Sequence, residues 1–401
     1  MRILFAITAL WFVAADWPQF QGPQRDGTSS ETITAWKDAP KELWKVAIGE
    51  AHSSPVVASG IVYAFYRTPG KDDDSDLEVL AAFDAVTGTK KWEKSTTRVA
   101  YKTIFGSGPQ GTPTVSDGRI FTYGNSGILT ARDAATGDLQ WTIDTLKDFS
   151  AKNLFFGIST SPLVIDKKVI VTVGGKGAGI VAFDIDTGKV AWQATDDPTS
   201  YSSPIAHGKQ ITFLTGSHLR GLNTGGKELW SFPFKDRANE SSTMPVVLGD
   251  TVIGSSITRG SVSLTIKDGK ATQTWDNKAL TCFFSTPVVV DKHLYMINGV
   301  KGNKSAFDAA VNLRCVELAT GKMIWEKPSV GRYHAALVKL KDNTLLMHDD
   351  NGYLSLIASN PKEYQELART KVCGPTWASP AVVDGVVYLR DNKNLIALSL
   401  K

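Results

Sequence analysis

One unit recurs along the whole chain: Ser or Thr, then Pro, then a short apolar run. It occurs as Ser54-Pro55-Val56-Val57, Thr112-Pro113-Thr114-Val115, Ser161-Pro162-Leu163-Val164 and Ser203-Pro204-Ile205. Met244-Pro245-Val246-Val247, Thr286-Pro287-Val288-Val289 and Ser379-Pro380-Ala381-Val382 continue it, and Ala335-Ala336-Leu337-Val338 is a degenerate copy in the remaining gap. That makes eight, at steps of 41 to 58 residues. A period in the forties fits four short strands with their turns, the size of a propeller blade. The chain therefore reads as one all-β unit, although its 401 residues would suffice for two or three average domains.

Each unit closes on a second signature. Asp84-Ala85-Val86-Thr87-Gly88-Thr89-Lys90-Lys91-Trp92 returns as Asp133 to Trp141 and as Asp184 to Trp192, with looser copies ending at Trp230, Trp275 and Trp325. A glycine stands four residues before the tryptophan at Gly88, Gly137, Gly188, Gly226 and Gly321, whereas Gly269 stands six before Trp275. The pattern predicts a hairpin whose glycine takes positive φ, cheap only without a Cβ. The tryptophan then faces a neighbouring blade and supplies a large apolar contact. Proline is tolerated at the mouth of the first strand, where no ladder donor is needed. These residues are read as structural, not catalytic.

The last repeat runs through Leu395 to Leu400 without a Gly–Trp hairpin, while Lys41-Glu42-Leu43-Trp44-Lys45-Val46 nearly duplicates Lys227 to Phe232. The expectation is an eight-bladed β-propeller in which the N-terminal strand around residues 41–49, carrying Trp44, completes the last blade and removes two sheet edges. Seven blades is the alternative, because the copy after Tyr333 lacks a closing Trp and Glu363-Tyr364-Gln365-Glu366-Leu367 stands in its place.

The Ser-Pro opening and the A-x-D-x-x-T-G-K-x-x-W closing resemble the PQQ-like (pyrroloquinoline quinone) repeat family over roughly residues 40–401. Its repeats build the propellers of quinoprotein alcohol dehydrogenases and of a lipoprotein of the outer-membrane protein assembly machinery. Asp16-Trp17-Pro18-Gln19-Phe20-Gln21-Gly22-Pro23 is similar to the W-P-x-F-R-G-P start of secreted members, with Gln21 where Arg is common. The catalytic branch uses PQQ with calcium or a lanthanide, a carboxylate base and a disulfide between adjacent cysteines. Those parts do not map onto this chain. Cys282, Cys315 and Cys373 include no adjacent pair and are read as small buried residues. The expectation is no cofactor, with PQQ and calcium as the alternative.

Met1-Arg2, the apolar run Ile3 to Val13 and the small residues Ala14-Ala15 read as an export signal cleaved near Ala15; the run is short of the roughly 20 apolar residues a spanning helix needs. No Cys follows, so no lipid anchor is read there. The expected layout is 1–15 signal, 16–40 extension and 41–401 propeller, secreted or periplasmic and monomeric. A net charge of +4, spread evenly, gives no reason to expect a nucleic-acid or membrane partner.

For a functional surface, the loops that run into each Pro strand must gather at one face. They bring His52, Phe105 and Phe156 (with Phe155) together with Tyr201 and Phe284 (with Phe283). Arg332, Tyr333, His334 and Trp377 join them from the last two repeats. An aromatic rim with two histidines and an arginine suits recognition of a ligand or partner; the plainer reading is that the rings only close the loops. Lys71 to Asp76 is an acidic stretch without calcium-loop spacing, read as a solvated hairpin tip. Gly106 to Gly111 spells G-x-G-x-x-G but leads into a strand and contains Pro109, so it is a loop. No nucleophile elbow, zinc pair or P-loop appears, and no metal site is expected. The leading reading is a non-catalytic binding or scaffolding propeller for a protein or glycan of the envelope. The alternatives are a quinoprotein dehydrogenase-like enzyme and a soluble outer-membrane assembly factor.

Overall fold

The computed structural model describes residues 16–101, 103, 105–299 and 310–401; the export signal expected at 1–15 lies outside them. Eight four-stranded antiparallel sheets form eight blades. Blade 1 runs through Val56–Ala58, Ile61–Pro69, Ser75–Asp84 and Lys90–Val99, and blades 2 to 6 repeat that order, opening at Thr114, Leu163, Ile205, Val246 and Val288. Blade 7 opens at Ala335 and ends in Gln365–Lys371, a strand that begins within the stand-in segment, so the degenerate repeat is a full blade. The propeller has eight blades, not seven.

Blade 8 is built from both ends of the chain. Ala381–Val383, Val386–Arg390 and Asn394–Ser399 supply three strands, and Lys41–Ala47 supplies the fourth, pairing from Lys41↔Ser399 to Ala47↔Asn394. The ring thus closes through backbone hydrogen bonds between residues 347 to 358 positions apart in sequence, leaving no open edge at the seam.

Burial follows position in the blade. The inner strand Val56–Ala58 is buried at every residue, whereas the outer strand Lys90–Val99 alternates between exposed and half-buried along most of its length. Inner strands are covered on both faces by neighbouring blades and read as continuous apolar runs; outer strands meet solvent on one side and alternate.

The Gly–Trp signature forms the seam between blades. Five of the seven seam tryptophans pack on the glycine of the following blade: Trp44 on Gly88, Trp92 on Gly137, Trp141 on Gly188, Trp192 on Gly226 and Trp275 on Gly321. A Cβ on any of these glycines would come within 2.6–2.8 Å of an indole carbon, so the residue is glycine for space as well as for positive φ. The indole Nε1 also donates across the seam, to the carbonyl of Ala85 from Trp44, Ala134 from Trp92, Ile185 from Trp141 and Leu318 from Trp275. Trp325 reaches Asn360 in the glycine-free turn of blade 7.

The Ser/Thr before each Pro has a second task. Its hydroxyl accepts the backbone N–H of the preceding blade's equivalent residue: Ser379 to Ser54 at 2.9 Å, Ser54 to Thr112 at 3.0 Å, Thr112 to Ser161 at 3.0 Å and Ser161 to Ser203 at 2.8 Å. Five blades are therefore stitched by a belt of hydrogen bonds around the central channel, which otherwise would leave buried amides unpaired.

Residues 16–40 thread the opposite end of that channel. Trp17 exchanges both backbone hydrogen bonds with Val57, Pro18 accepts from Val115, and Thr28–Ser29 run beside Lys339 of blade 7. Between them Arg25 is buried. Its Nε donates to Pro204 O at 2.9 Å, Nη1 to Pro162 O at 2.9 Å and Nη2 to Ser161 O at 3.1 Å. The guanidinium thus ties the extension to the mouths of blades 3 and 4. Burial without a carboxylate among these partners pulls its pKa down to about 9. Glu31 accepts from Asp384 and Gly385 of blade 8, and Trp36 donates to Thr370 of blade 7 before the chain turns into Lys41.

The three cysteines are all free thiols. In the acidic stretch, Asp72, Asp73 and Asp74 are exposed, but Asp76 is not at a solvated tip. It is 1% exposed and pairs with Arg67 at 2.6 Å and Arg98 at 3.3 Å, beside the Arg98–Glu78 pair at 3.2 Å.

Candidate functional site

The loops that run into the inner strands gather on the face opposite the extension, and all eleven residues singled out from the sequence lie there. Phe105 is at the centre of a cap of rings. Its centroid is 5.3 Å from Phe156, 6.1 Å from Phe284, 6.1 Å from Tyr333 and 5.2 Å from Trp377. One ring from the loop after blade 1 therefore touches rings from the loops into blades 3, 6, 7 and 8. Trp377 stacks on His52 at 4.7 Å and on Phe284 at 4.8 Å; Tyr201 meets Phe156 at 5.8 Å. The Arg332 guanidinium lies 4.9 Å over the Tyr333 ring, a cation–π contact. Most rings are half-buried in one another. Phe155 is the exception, 78% exposed while edge-on to Phe156 at 4.8 Å.

Two carboxylates that sequence reasoning passed over hold the loops in place. Asp350 accepts three successive amides, from Arg332 at 2.8 Å, Tyr333 at 2.6 Å and His334 at 3.2 Å. Glu50 accepts from Ser107 at 2.8 Å and pairs with Arg67 at 3.5 Å, fixing the loop that carries Phe105. The His52 ring Nε2 donates to the Phe105 carbonyl at 2.5 Å. No short motif marks either carboxylate, because each acts on a loop that only the blade geometry brings near.

Beneath the cap, inside the channel, is a chamber of about 100 Å3. Phe20 of the extension lines it on one side, and Phe284 and Trp377 of the cap on the other. Its wall is hydroxyl-rich: Ser54, Ser161, Ser203 and Ser379 come from the belt, Ser159 and Ser242 from the loops above, with Gln110, Tyr201, His52 and His334. A narrow vestibule between Phe105, Phe156, Phe283 and Phe284, with Glu240, shares Gln110, Ser159, Tyr201, Ser242 and Trp377 with the chamber.

The histidines here are neutral. Burial, with His348 and His52 nearby, pulls His334 down to about 3 against a weak pull from the Phe284 carbonyl. Burial likewise pulls His348 down to about 4 and lowers His52. His334 Nδ1 meets the Ser285 hydroxyl at 3.0 Å, and its Nε2 has no partner in hydrogen-bonding geometry. His348 Nε2 meets the Cys373 thiol at 3.4 Å. Burial and the nearby Asp391 and Asp349 push that thiol up to about 12, so the pair is not an activated nucleophile.

In its eight blades, its Ser/Thr-Pro belt and its Gly–Trp seams the chain is similar to PQQ-like repeat propellers. Its sequence matches the profile of the family described as outer membrane protein assembly factor BamB over residues 26–219. The BamB of Shewanella oneidensis is 20% identical over 384 residues, covering 90% of this chain and 88% of that protein. The dehydrogenase subunit of the quinone alcohol dehydrogenase of Komagataeibacter europaeus is 26% identical over 160 residues, 38% of this chain. The match spans only a fifth of that relative's length. Among solved structures, the quinohemoprotein alcohol dehydrogenase of Comamonas testosteroni superposes with a TM-score of 0.70 over 96% of this chain and 80% of its own, at 13% identity. That likeness speaks for the fold alone.

The chamber residues do not suit PQQ, a tricyclic quinone bearing three carboxylates. No lysine or arginine lines the chamber, its histidines are neutral, and burying unpaired carboxylates is costly. Among the described residues no group of three His, Cys, Asp or Glu is placed to hold a metal ion.

Proposed function

We propose that this chain is a non-catalytic scaffolding propeller of the cell envelope that docks another protein on its aromatic cap. The observation that carries this reading is the cap itself: aromatic rings from six loops form one surface, with Phe155 78% exposed at its edge. Aromatic anchors with an arginine beside them are the side chains that dominate protein interfaces. Full-length similarity to a protein named for outer-membrane protein assembly supports it, as does the chamber's poor match to PQQ. No helix among the described residues is long and apolar enough to cross a membrane.

Site-specific photo-crosslinking in cells tests this. A crosslinker at Phe155 or Tyr333 is expected to trap one discrete envelope protein, and one at Leu248, exposed on the opposite face, to trap none. Equal trapping on both faces, or none at the cap, overturns the assignment.

A further inference from the structure

We propose that the chamber under the aromatic cap is a binding site for a neutral polyol, a small free one or the terminal sugar of a glycan. This goes beyond the docking reading and uses different atoms.

The wall sets the chemistry. Ser54, Ser161 and Ser203 each accept a backbone N–H from the preceding blade through their hydroxyl oxygens. Each hydroxyl therefore keeps its own proton to donate, and no acceptor for those three protons is found among the described residues. Gln110 adds an amide. His334, 5% exposed, lines the same space with Nε2 unpartnered. An unpartnered polar atom that deeply buried marks a place where a ligand or ordered water completes the pairing. The occupant must thus offer several acceptors and some donors at close spacing.

It must also be uncharged. The chamber's lining residues carry no fixed charge of either sign, the vestibule adds only the Glu240 carboxyl, which offers an anion no counter-charge, and an ion buried without a counter-charge is strongly disfavoured. The aromatic walls point the same way. Phe20, Phe284 and Trp377 bound the chamber, and the faces of such rings are negative, repelling anions while accepting C–H groups. Oxygen-rich edges with apolar C–H faces and no charge describe a polyol. About 100 Å3, with the vestibule adding about 40 Å3, accommodates a small polyol or the edge of one sugar ring, the remainder lying among Phe105, Phe156 and Phe283.

Isothermal titration of the full chain with glycerol, methyl α-glucoside, chitobiose and inorganic phosphate tests this. The expected result is saturable binding of glycerol or a sugar probe and none of phosphate. Preference for glycerol identifies a free polyol, and preference for chitobiose a glycan end. His334→Phe and Ser159→Ala, the latter at a chamber hydroxyl outside the belt, are each expected to weaken binding about tenfold, the equivalent of one lost buried hydrogen bond. Phe155→Ala, at the rim, is expected to leave it unchanged while abolishing crosslinking from Tyr333 to a protein partner, so the two readings fail separately. Absence of saturable binding to any polyol, phosphate binding in their place, or affinities unmoved by both chamber variants in folded protein overturns the proposal.

Discussion

Trp44 lies against Gly88, and its indole Nε1 donates to the Ala85 carbonyl at 2.9 Å. Trp44 sits on the strand that completes blade 8, and Gly88 sits in the hairpin of blade 1. The same seven-residue strand therefore closes a sheet through its backbone and locks the adjoining seam through its side chain. Trp44→Ala is expected to lower unfolding free energy by about 3–5 kcal/mol, the cost of emptying a buried aromatic site. Gly88→Ala, strained at φ +71 and crowded at 2.7 Å, is expected to cost about 1–3 kcal/mol. Because both act at one contact, the double variant should lose less than the sum. Urea midpoints of the four proteins check this.

The seams are not equivalent. Trp230 is buried with no partner for its Nε1. The reason lies in the next blade, where the strands Gly260–Lys267 and Lys270–Asn277 are joined by a tight Asp268-Gly269 turn. The hairpins of blades 1, 2 and 3 carry the longer Asp-x-x-Thr-Gly loop, and those of blades 4, 6 and 7 also have longer turns, each with a carbonyl that accepts from the indole. Trp230→Phe is therefore expected to be the mildest Trp→Phe change of the set. Trp141→Phe, which also gives up its bond to Ile185, is expected to cost about 1 kcal/mol more. Equal losses in denaturant unfolding would show the Nε1 bonds to be inert.

This irregularity was legible in the sequence, as Gly269 standing six residues before Trp275 instead of four. So were the blades, the closing strand at Lys41–Ala47 and the gathering of the cap, since all follow from repeat spacing and strand alternation. What stayed hidden involves residues whose partners are distant in sequence and identical in type to ordinary loop residues. The Ser/Thr belt looked like strand punctuation until adjacent blades were in place. Asp350, accepting three amides, and Glu50, bracing the Phe105 loop, carry no local pattern. Asp76 reads as one of a run of acids and is the buried one only because Arg67 and Arg98 flank it across the sheet.

Arg25 belongs to the same hidden set. Three backbone carbonyls from two blades converge on one guanidinium. Lysine, with one ammonium in place of a planar fork, cannot span them. Arg25→Met and Arg25→Lys are both expected to cost about 3 kcal/mol or more, because bonds to a charged donor are lost and buried carbonyls are left unpaired. The loss should be local first. Hydrogen exchange is expected to show residues 16–30 losing protection while the inner strands of blades 3 and 4 keep theirs. Uniform loss across the propeller would instead make Arg25 a determinant of the whole ring.

The buried histidines give the ring an acid limit. His334 and His348 have folded pKa values pulled down to about 3 and about 4, below the roughly 6.5 of an unfolded chain. As pH falls, the unfolded state takes up the proton first. Their contribution is thus fully present above about pH 6.5 and lost as pH drops toward 4 and below. His334→Phe removes one such site, and its unfolding free energy is expected to fall less steeply with pH between 6.5 and 4, by about one proton's worth of slope. The double variant with His348→Phe should flatten it by about two. Both variants are expected to be weaker than the parent at pH 7, since Ser285 and Cys373 lose their imidazole partners. The measurement is therefore the slope, read from urea unfolding at half-unit pH steps, and curves parallel to the parent's would show that these two rings are not what titrates.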